Sequence, residues 1–273
     1  MRKFAVLAAL ASCAAAQSPL TNILSTELER NFSVLKEKGD PPPYFIGYDG
    51  GKGWDSQWES EREYLDWCRA WTTECVRVLK PHRMLIVFGT LKTNTFLRYK
   101  LDVLESLPLF AQNEIIWSYN WGGRSKTNFA RKHEYAWCYS RDKEFLFNAD
   151  AVRVERKQKI NIRTGRAFEH GTIPTCVWEK NNHTTSNEYV NWHPTQKPLE
   201  ILQRMICAYT HPHDTVLDIF SGSGSTMIAA ELVDRTFMGC ELRQEFYEKS
   251  LQRYHEYNLP AKTLPTTLLP LDI

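Results

Sequence analysis

The sequence predicts an α/β protein built on a doubly wound, mostly parallel sheet. From Thr215 to Tyr257 a strand, a Gly/Ser-rich loop, a helix, a second strand and a second helix follow one another. This alternation is typical of parallel sheets that carry helices on both faces. Short apolar runs earlier in the chain supply further strands, and the 273 residues, 42% of them apolar, are enough for a sizeable core.

The N-terminus has the pattern of a secretory signal peptide. Residues 1–17 begin with Arg2 and Lys3, continue with an apolar stretch and end in small residues. We therefore expect residues 1–17 to stand outside the fold, residues 18–260 to form one domain and residues 261–273 to be a tail. The rest of the chain has no span of ~20 apolar residues, so no integral membrane segment is expected.

The first half of the domain combines a proline loop, a helix and three strands. Residues 40–45 read Asp-Pro-Pro-Pro-Tyr-Phe and must form a loop, because prolines neither continue a helix nor pair in a sheet. Apolar residues three and four apart predict a helix from Ser60 to Leu79, and Pro81 ends it. The apolar runs predict strands at Met84–Gly89, Glu114–Asn120 and His133–Ser140.

A basic stretch follows the first strands. The formal net charge of the chain is only +2, but residues 124–166 hold 12 Lys or Arg against 5 Asp or Glu, a local net charge of +7. Such a patch fits contact with phosphates, and a solvated basic loop is the alternative. Residues 150–192 are polar and poorly periodic, which indicates an insert on the scaffold rather than part of the sheet.

The second half of the domain has the strongest patterns. We expect a helix at Pro198–Thr210, a strand at Thr215–Phe220, a helix beginning at Thr226, a strand at Arg235–Leu242 and a helix at Glu245–Tyr257. Ligands of open α/β sheets bind beyond the carboxyl ends of strands, where glycines allow backbone to approach closely. The residues placed there by the sequence are Asp218, the loop 221–225 and, at the end of the next strand, Glu241.

This loop favours a nucleoside cofactor without phosphates. Glu241 is suited to accept hydrogen bonds from ribose hydroxyls. The loop has neither the dinucleotide G-x-G-x-x-G pattern nor the Gly-Lys-Ser/Thr ending of a phosphate-binding loop. S-adenosylmethionine fits these conditions, and a tight turn that binds nothing is the alternative.

The proline loop at residues 40–45 can hold a poorly nucleophilic amine. An Asp carboxylate and a proline-restrained carbonyl provide preorganised acceptors, and an adjacent Tyr can stack on an extruded base at ~1–3 kcal/mol. A proline-rich ligand for another domain is the alternative interpretation. The segment 192–198, Trp-His-Pro-Thr-Gln-Lys-Pro, precedes a helix and could by itself be only a helix start.

Taken together, the three motifs at residues 40–44, 193–198 and 216–226 resemble those of the amino-methyltransferases of restriction-modification systems. These enzymes methylate N6 of adenine or N4 of cytosine in DNA, and the order here is the one with the catalytic loop first and the cofactor loop last. The resemblance covers most of residues 40–258 and implies the S-adenosylmethionine-dependent methyltransferase fold with a basic target-recognition insert at about residues 124–191. It also implies double-stranded DNA as partner, and Asp at the first loop position resembles the adenine enzymes.

The resemblance assigns a role to each matching position. In the catalytic loop they are Asp40, Pro42, Pro43 and Tyr44. In the cofactor pocket they are Thr195, Lys197, Pro198, Asp218, Phe220, Gly222, Gly224 and Glu241. For DNA contact they are Arg124, Lys126, Arg131, Lys132, Arg153, Arg156, Lys157 and Lys159.

Two departures from the family pattern leave other functions open. This loop has three prolines where the family has two, and residues 31–39 are too short and too charged for the strand that normally precedes it. A catalytically impaired relative that binds DNA or cofactor is one alternative, and a methyltransferase of RNA or protein is the other. The leader would indicate secretion, whereas the substrate would indicate a compartment that contains DNA.

The seven cysteines give no sign of a metal site. No two of them form a C-x-x-C pair, so we expect no bound metal. Several lie within apolar runs, which predicts buried free thiols and fits a reducing compartment.

Overall fold

The computed structural model describes part of the chain in full and two further segments by their backbone alone. The fully described residues are 60–91, 94–156, 160, 162–167, 170–181, 187–241 and 243–257. The segments described by backbone are 6–10 and 267–270.

The described residues form one eight-stranded sheet. Its strands are β1 Val6–Leu10, β2 Met84–Gly89, β3 Phe110–Ser118, β4 His133–Ser140, β5 Val177–Glu179, β6 Thr215–Asp218, β7 Thr236–Glu241 and β8 Thr267–Pro270. Their order across the sheet is β5-β3-β4-β2-β1-β6-β7-β8. β1 is antiparallel to β2 and β6, and β4 is antiparallel to β2 and β3, whereas the remaining pairs are parallel. Six strands therefore point one way, and only β1 and β4 point the other way.

Helices cover both faces of the sheet, as the sequence predicted. They are α1 Glu61–Val78, α2 Asn94–Arg98, α3 Leu199–Tyr209, α4 Ser225–Leu232 and α5 Gln244–Glu256. Short π and 3-10 turns continue α2 to Ser106, and a 3-10 turn spans Asp150–Val152.

Each face of the sheet has its own hydrophobic core, and successive side chains of β2 point alternately into one core and the other. Leu85 and Val87 face the core made with α1, where Tyr64, Cys68 and Trp71 are buried. Met84, Ile86 and Phe88 face the opposite core, made with α3 and α4. β2 is buried along its whole length, so a continuous apolar run fits a central strand covered on both faces. The expected doubly wound fold is confirmed.

Local signals account for where the helices begin and end. α1 begins after Ser60, whose side chain accepts a hydrogen bond from Glu63 N at 3.2 Å, and the acids Glu61 and Glu63 lie in its first turn. α3 begins after Pro198, whose backbone is extended. Every helix end that was predicted from the sequence lies within one residue of the end in the structure.

β3 and β6 each end two residues before the predicted end, at Ser118 and Asp218. Three expectations differ from the structure by more. Val6–Leu10 belongs to the region that we expected outside the fold, yet it pairs between β2 and β6; an uncharged apolar run suits a buried strand as well as a leader. β3 begins at Phe110, four residues before the predicted start, because its solvent-facing first half is less apolar. The region of the expected insert contributes β5, which pairs with β3 through only three residues and therefore shows no periodicity.

The cysteines also divide between core and surface. Cys68, Cys75, Cys138 and Cys240 are buried free thiols, as expected, but Cys207 is half-buried and Cys176 is exposed. Cys13 lies outside the described residues.

Candidate active site

The carboxyl ends of the parallel strands define one edge of the sheet, which we call the cofactor edge. β2 ends there at Gly89, β3 at Ser118, β6 at Asp218 and β7 at Glu241, because these strands share one direction. β4 runs the other way and begins at this edge, where His133 pairs with Ser118. The loops that follow β2, β3, β6 and β7 therefore leave the sheet at the same edge.

The loop after β6 turns tightly into α4. Phe220 N donates to Asp218 Oδ1 at 3.0 Å, Ser221 N donates to Cys240 O at 3.0 Å, and Gly224 N donates to Ser221 O at 3.0 Å. Asp218 is buried. The turn is thus fixed by its own backbone and by β7.

Gly224 occupies a position that other residues fit poorly. Its φ is +71°, and a Cβ there would lie 3.0 Å from Ser250 Cβ. Left-handed backbone costs roughly 1–2 kcal/mol for residues with a Cβ, so both conformation and space favour glycine here. Gly222 also has a positive φ of 54°.

Glu241 reaches from the end of β7 into the loop after β6. Its Oε2 accepts a hydrogen bond from Gly222 N at 2.6 Å, and its Oε1 accepts one from Arg243 N at 3.1 Å. The side chain is buried. The acid that the sequence placed at the end of the next strand, 19 residues after Gly222, is therefore in direct contact with the loop.

Two buried hydroxyl groups near these motifs have no hydrogen-bond partner among the described residues. They are Oγ of Ser221, in the loop after β6, and Oγ1 of Thr195, in the segment before α3. A buried hydroxyl without a partner costs about 1–3 kcal/mol, which makes such atoms candidates for ligand contact.

Phe220 attaches the loop after β6 to the core that α1 covers. Its ring lies 5.3 Å from the ring of Trp71 in an edge-to-face arrangement and 5.9 Å from that of Trp67. Both tryptophans belong to α1. Aromatic pairs with this geometry contribute about 0.5–1.5 kcal/mol beyond their burial, so α1 supports the loop from the side opposite α4.

Arg253 of α5 connects the loop after β6 with the segment before α3. Its guanidinium donates to Ser223 O at 2.8 Å, to Ser225 Oγ at 2.9 Å and to Glu188 O at 3.2 Å. Burial lowers the pKa of Arg253 from its ordinary value. The backbone of Glu188 also accepts a hydrogen bond from the Gln196 side chain, so a single cation joins both motifs.

The segment 193–198 is held by two further carboxylates. Lys197 is buried, with its Nζ 3.4 Å from Glu134 Oε2 and 5.6 Å from the centre of the Phe88 ring. Glu188 Oε2 accepts a hydrogen bond from Leu199 N at 2.8 Å and so caps α3. Because Glu134 lies at the start of β4, Lys197 fastens this segment to the cofactor edge.

Glu188, Arg253 and Glu134 were not among the residues selected from the sequence. Glu188 caps a helix that begins eleven residues later, and Arg253 lies on a helix with an ordinary amphipathic pattern. Their contacts are made between distant segments, so no local pattern indicates them.

Four of the six described DNA-binding candidates are exposed, and four are held by backbone carbonyl oxygens. Arg124 and Lys126 are exposed. Arg131 donates to Leu91 O and Lys132 Nζ to Asn120 O at 3.0 Å. The more distant ones also contact backbone, Arg153 at Gly171 O and Arg156 at His170 O. Lys157 and Lys159 lie outside the described residues.

The predicted catalytic loop, Asp40, Pro42, Pro43 and Tyr44, lies outside the described residues as well. Within the described ranges no group of His, Cys, Asp and Glu side chains could hold a metal ion. In the same part of the chain no helix is long and apolar enough to span a bilayer.

An open α/β sheet, a glycine turn at its carboxyl edge and an acid after the next strand define a class of nucleoside-cofactor-binding proteins. A model of the DNA methylase family of N6 and N4 methyltransferases matches residues 41–252. The chain belongs to this family, and the resemblance drawn from its motifs is confirmed.

Individual proteins agree with this assignment. The chain is 32% identical over 224 residues to the DNA adenine methyltransferase YhdJ of Escherichia coli K12, covering 78% of this chain and 73% of the relative. It is 31% identical over 214 residues to the type II methyltransferase M.HpaI of Haemophilus parainfluenzae, covering 78% of this chain and only 65% of the relative. The solved M1.HpyAVI–SAM complex has a TM-score of 0.52 at 23% identity, covering 71% of this chain and 83% of that one, which shows the shared fold.

Proposed function

We propose that this chain is an S-adenosylmethionine-dependent DNA methyltransferase that acts on N6 of adenine, with N4 of cytosine the less favoured target. The observation that carries the proposal is the contact of Glu241 with Gly222 at the cofactor edge. It joins the acid at the end of β7 to the glycine turn that follows β6, and an acid in this place can hydrogen-bond the ribose of a nucleoside cofactor. Family membership supports the same chemistry.

The residues at this edge fit S-adenosylmethionine. The four lone-pair sites of a carboxylate allow Glu241 to hold the loop backbone and to accept hydrogen bonds from ribose hydroxyls. Asp218, Phe220, Gly222 and Gly224 would line the pocket, and Thr195, Lys197 and Pro198 would close the methionine end. The buried hydroxyls of Ser221 and Thr195 are available to hydrogen-bond the cofactor. When bound, the cofactor supplies an electrophilic methyl group on a sulfonium.

The chain's own contribution is to hold the target amine. Asp40 and the backbone carbonyl fixed by Pro42 and Pro43 would accept hydrogen bonds from the amino group, and Tyr44 would stack on the extruded base. Such positioning is worth several orders of magnitude in rate, and a displacement of ~1 Å can cost about a hundredfold. The third proline of this loop is therefore the main reason to consider an impaired relative.

Double-stranded DNA is the proposed partner. Arg124, Lys126, Arg131 and Lys132 lie in the loop between β3 and β4, which leaves the sheet at the cofactor edge. Neutralised phosphates release counterions, so binding should weaken steeply as salt rises. DNA as substrate implies that the protein acts in a compartment that contains DNA.

Methyl transfer from tritiated S-adenosylmethionine to unmethylated plasmid DNA tests the proposal. We expect incorporation into DNA and, after hydrolysis, N6-methyladenine as the labelled base. Label in N4-methylcytosine would change the target, and label only in RNA or added protein would support the alternative substrates. Cofactor binding without any transfer would identify an impaired relative.

A further inference from the structure

Phe129 is the most exposed large apolar side chain of the described residues. It is 97% exposed, and it lies in the basic loop, which we define as residues 119–132 between β3 and β4. Single exposed apolar residues are common on protein surfaces and by themselves indicate nothing. The surroundings of Phe129 and the position of its loop distinguish it.

The basic loop leaves and re-enters the sheet at the cofactor edge. It begins after Ser118 at the end of β3 and ends before His133 at the start of β4, and those two residues are paired. The loop contains four Lys or Arg and no Asp or Glu. Phe129 is therefore an apolar side chain within a positively charged loop, and this loop lies at the same edge of the sheet as the cofactor turn.

The root of the basic loop is fastened, whereas its tip is exposed. Tyr119 N donates to Lys132 O at 2.9 Å, Lys132 Nζ donates to Asn120 O at 3.0 Å, and the ring of Trp121 stacks on that of Tyr119 at 4.9 Å. Closer to the tip, Ser125 Oγ accepts a hydrogen bond from Asn128 N at 3.0 Å. Asn128 Oδ1 accepts one from Phe129 N at 2.7 Å. These contacts restrain the backbone that presents Phe129 to solvent.

We propose that Phe129 is a wedge that enters the base stack of duplex DNA and occupies the space left by the extruded target base. The proposal rests on the proposed function. Charge complementarity favours DNA as the occupant, because Arg124 and Lys126 are exposed in the same loop and can contact the phosphates on either side. Apolar side chains inserted between base steps are an established way to stabilise a distorted duplex. No covalent step is involved.

The test separates the wedge from general DNA affinity by filling the same space chemically. The methylated position is first mapped by sequencing plasmid DNA that the wild-type protein has modified. Duplex oligonucleotides with that site then carry opposite the target base either its normal partner or a pyrene deoxynucleoside, whose ring fills the stack. The variants are Phe129→Ala and, as a matched control, Phe110→Ala. Phe110 is also exposed but begins β3 at the opposite edge of the sheet.

We expect Phe129→Ala to lower kcat/KM about tenfold on the normal duplex and to come within about twofold of wild type on the pyrene duplex. Phe110→Ala should be unchanged on both. An equal loss on the two duplexes, or no loss on either, would overturn the wedge while leaving the methyltransferase assignment intact. Failure of the wild-type protein to modify the plasmid would instead overturn the proposed function, and the wedge with it.

Discussion

The guanidinium of Arg253 lies 2.8 Å from the carbonyl oxygen of Ser223, so the last described helix holds the glycine turn of the cofactor edge. The same group donates to the backbone carbonyl of Glu188, which also accepts a hydrogen bond from the Gln196 side chain of the segment 193–198. Ser223 and Glu188 are 35 residues apart in the chain and share this one cation. Arg253 thus controls the relative position of the glycine turn and the segment before α3, on which a common pocket depends.

Replacing Arg253 with Ala should destabilise the protein. The buried carbonyl of Ser223 and the buried hydroxyl of Ser225 would lose a charged donor. Hydrogen bonds to charged groups are worth about 1.5–3 kcal/mol each, so we expect the free energy of unfolding to fall by about 3 kcal/mol. Urea denaturation measures it. Arg62→Ala, at an ion pair whose arginine side chain is 92% exposed, should cost less than about 1 kcal/mol. Equal effects of the two substitutions would contradict the assigned role.

Gly224→Ala should impair both stability and methyl transfer. The new Cβ would be strained by a φ of +71° and crowded by Ser250. Gly165→Ala is the matched control, because Gly165 has a φ of +67° with no atom within 4 Å of the added Cβ. Both should lose roughly 1–2 kcal/mol from the backbone, but only Gly224→Ala should lower the transfer rate, by about tenfold or more. A full rate in Gly224→Ala would show that the turn tolerates displacement.

The buried pair of Lys197 and Glu134 gives a third prediction. Lys197→Met leaves a carboxylate buried without its cation and should cost about 3–5 kcal/mol of unfolding free energy. Adding Glu134→Gln should recover part of that loss, which a double-mutant cycle in urea would reveal as a positive coupling. Lys180→Met, in a partly exposed pair with Glu200 at 2.7 Å, should cost less than about 1 kcal/mol. Simple additivity at Lys197 and Glu134 would argue against the contact.

Buried thiols predict a loss of stability at alkaline pH. Burial raises the pKa of Cys138 to about 12, and it also raises those of Cys68, Cys75 and Cys240. The unfolded chain then releases these protons at lower pH than the folded protein. The stabilisation is therefore complete below about pH 8.5 and is lost as pH rises toward the folded value.

For Cys138 alone the slope is about 1.4 kcal/mol per pH unit in this window. Cys138→Ala should flatten the dependence measured by urea denaturation between about pH 9 and 11. Cys176→Ala should leave it unchanged, because Cys176 is exposed. An unaltered slope in Cys138→Ala would contradict the burial of that thiol.

The sequence predicted the elements whose patterns are local. β2 is an apolar run buried on both faces, and the turn from Asp218 to Gly224 has a glycine where the backbone is left-handed. Contacts between segments that are distant in the chain were not predicted from the sequence. Nothing near Glu188 indicates a helix cap eleven residues away, and β5 is too short to show a period. Val6–Leu10 was misjudged as outside the fold, since a short apolar run has the same composition in a leader and in a central strand.

The claim that the cofactor edge binds a methyl donor is tested most directly by calorimetric titration of S-adenosylmethionine into the wild-type protein and Glu241→Ala. The wild-type protein should bind, and the variant should bind about a hundredfold more weakly, because it loses charged hydrogen bonds to the ribose. Glu248→Ala, at an exposed acid of α5, should bind like the wild type. Absence of binding by the wild-type protein, or unchanged affinity in Glu241→Ala, would contradict the account.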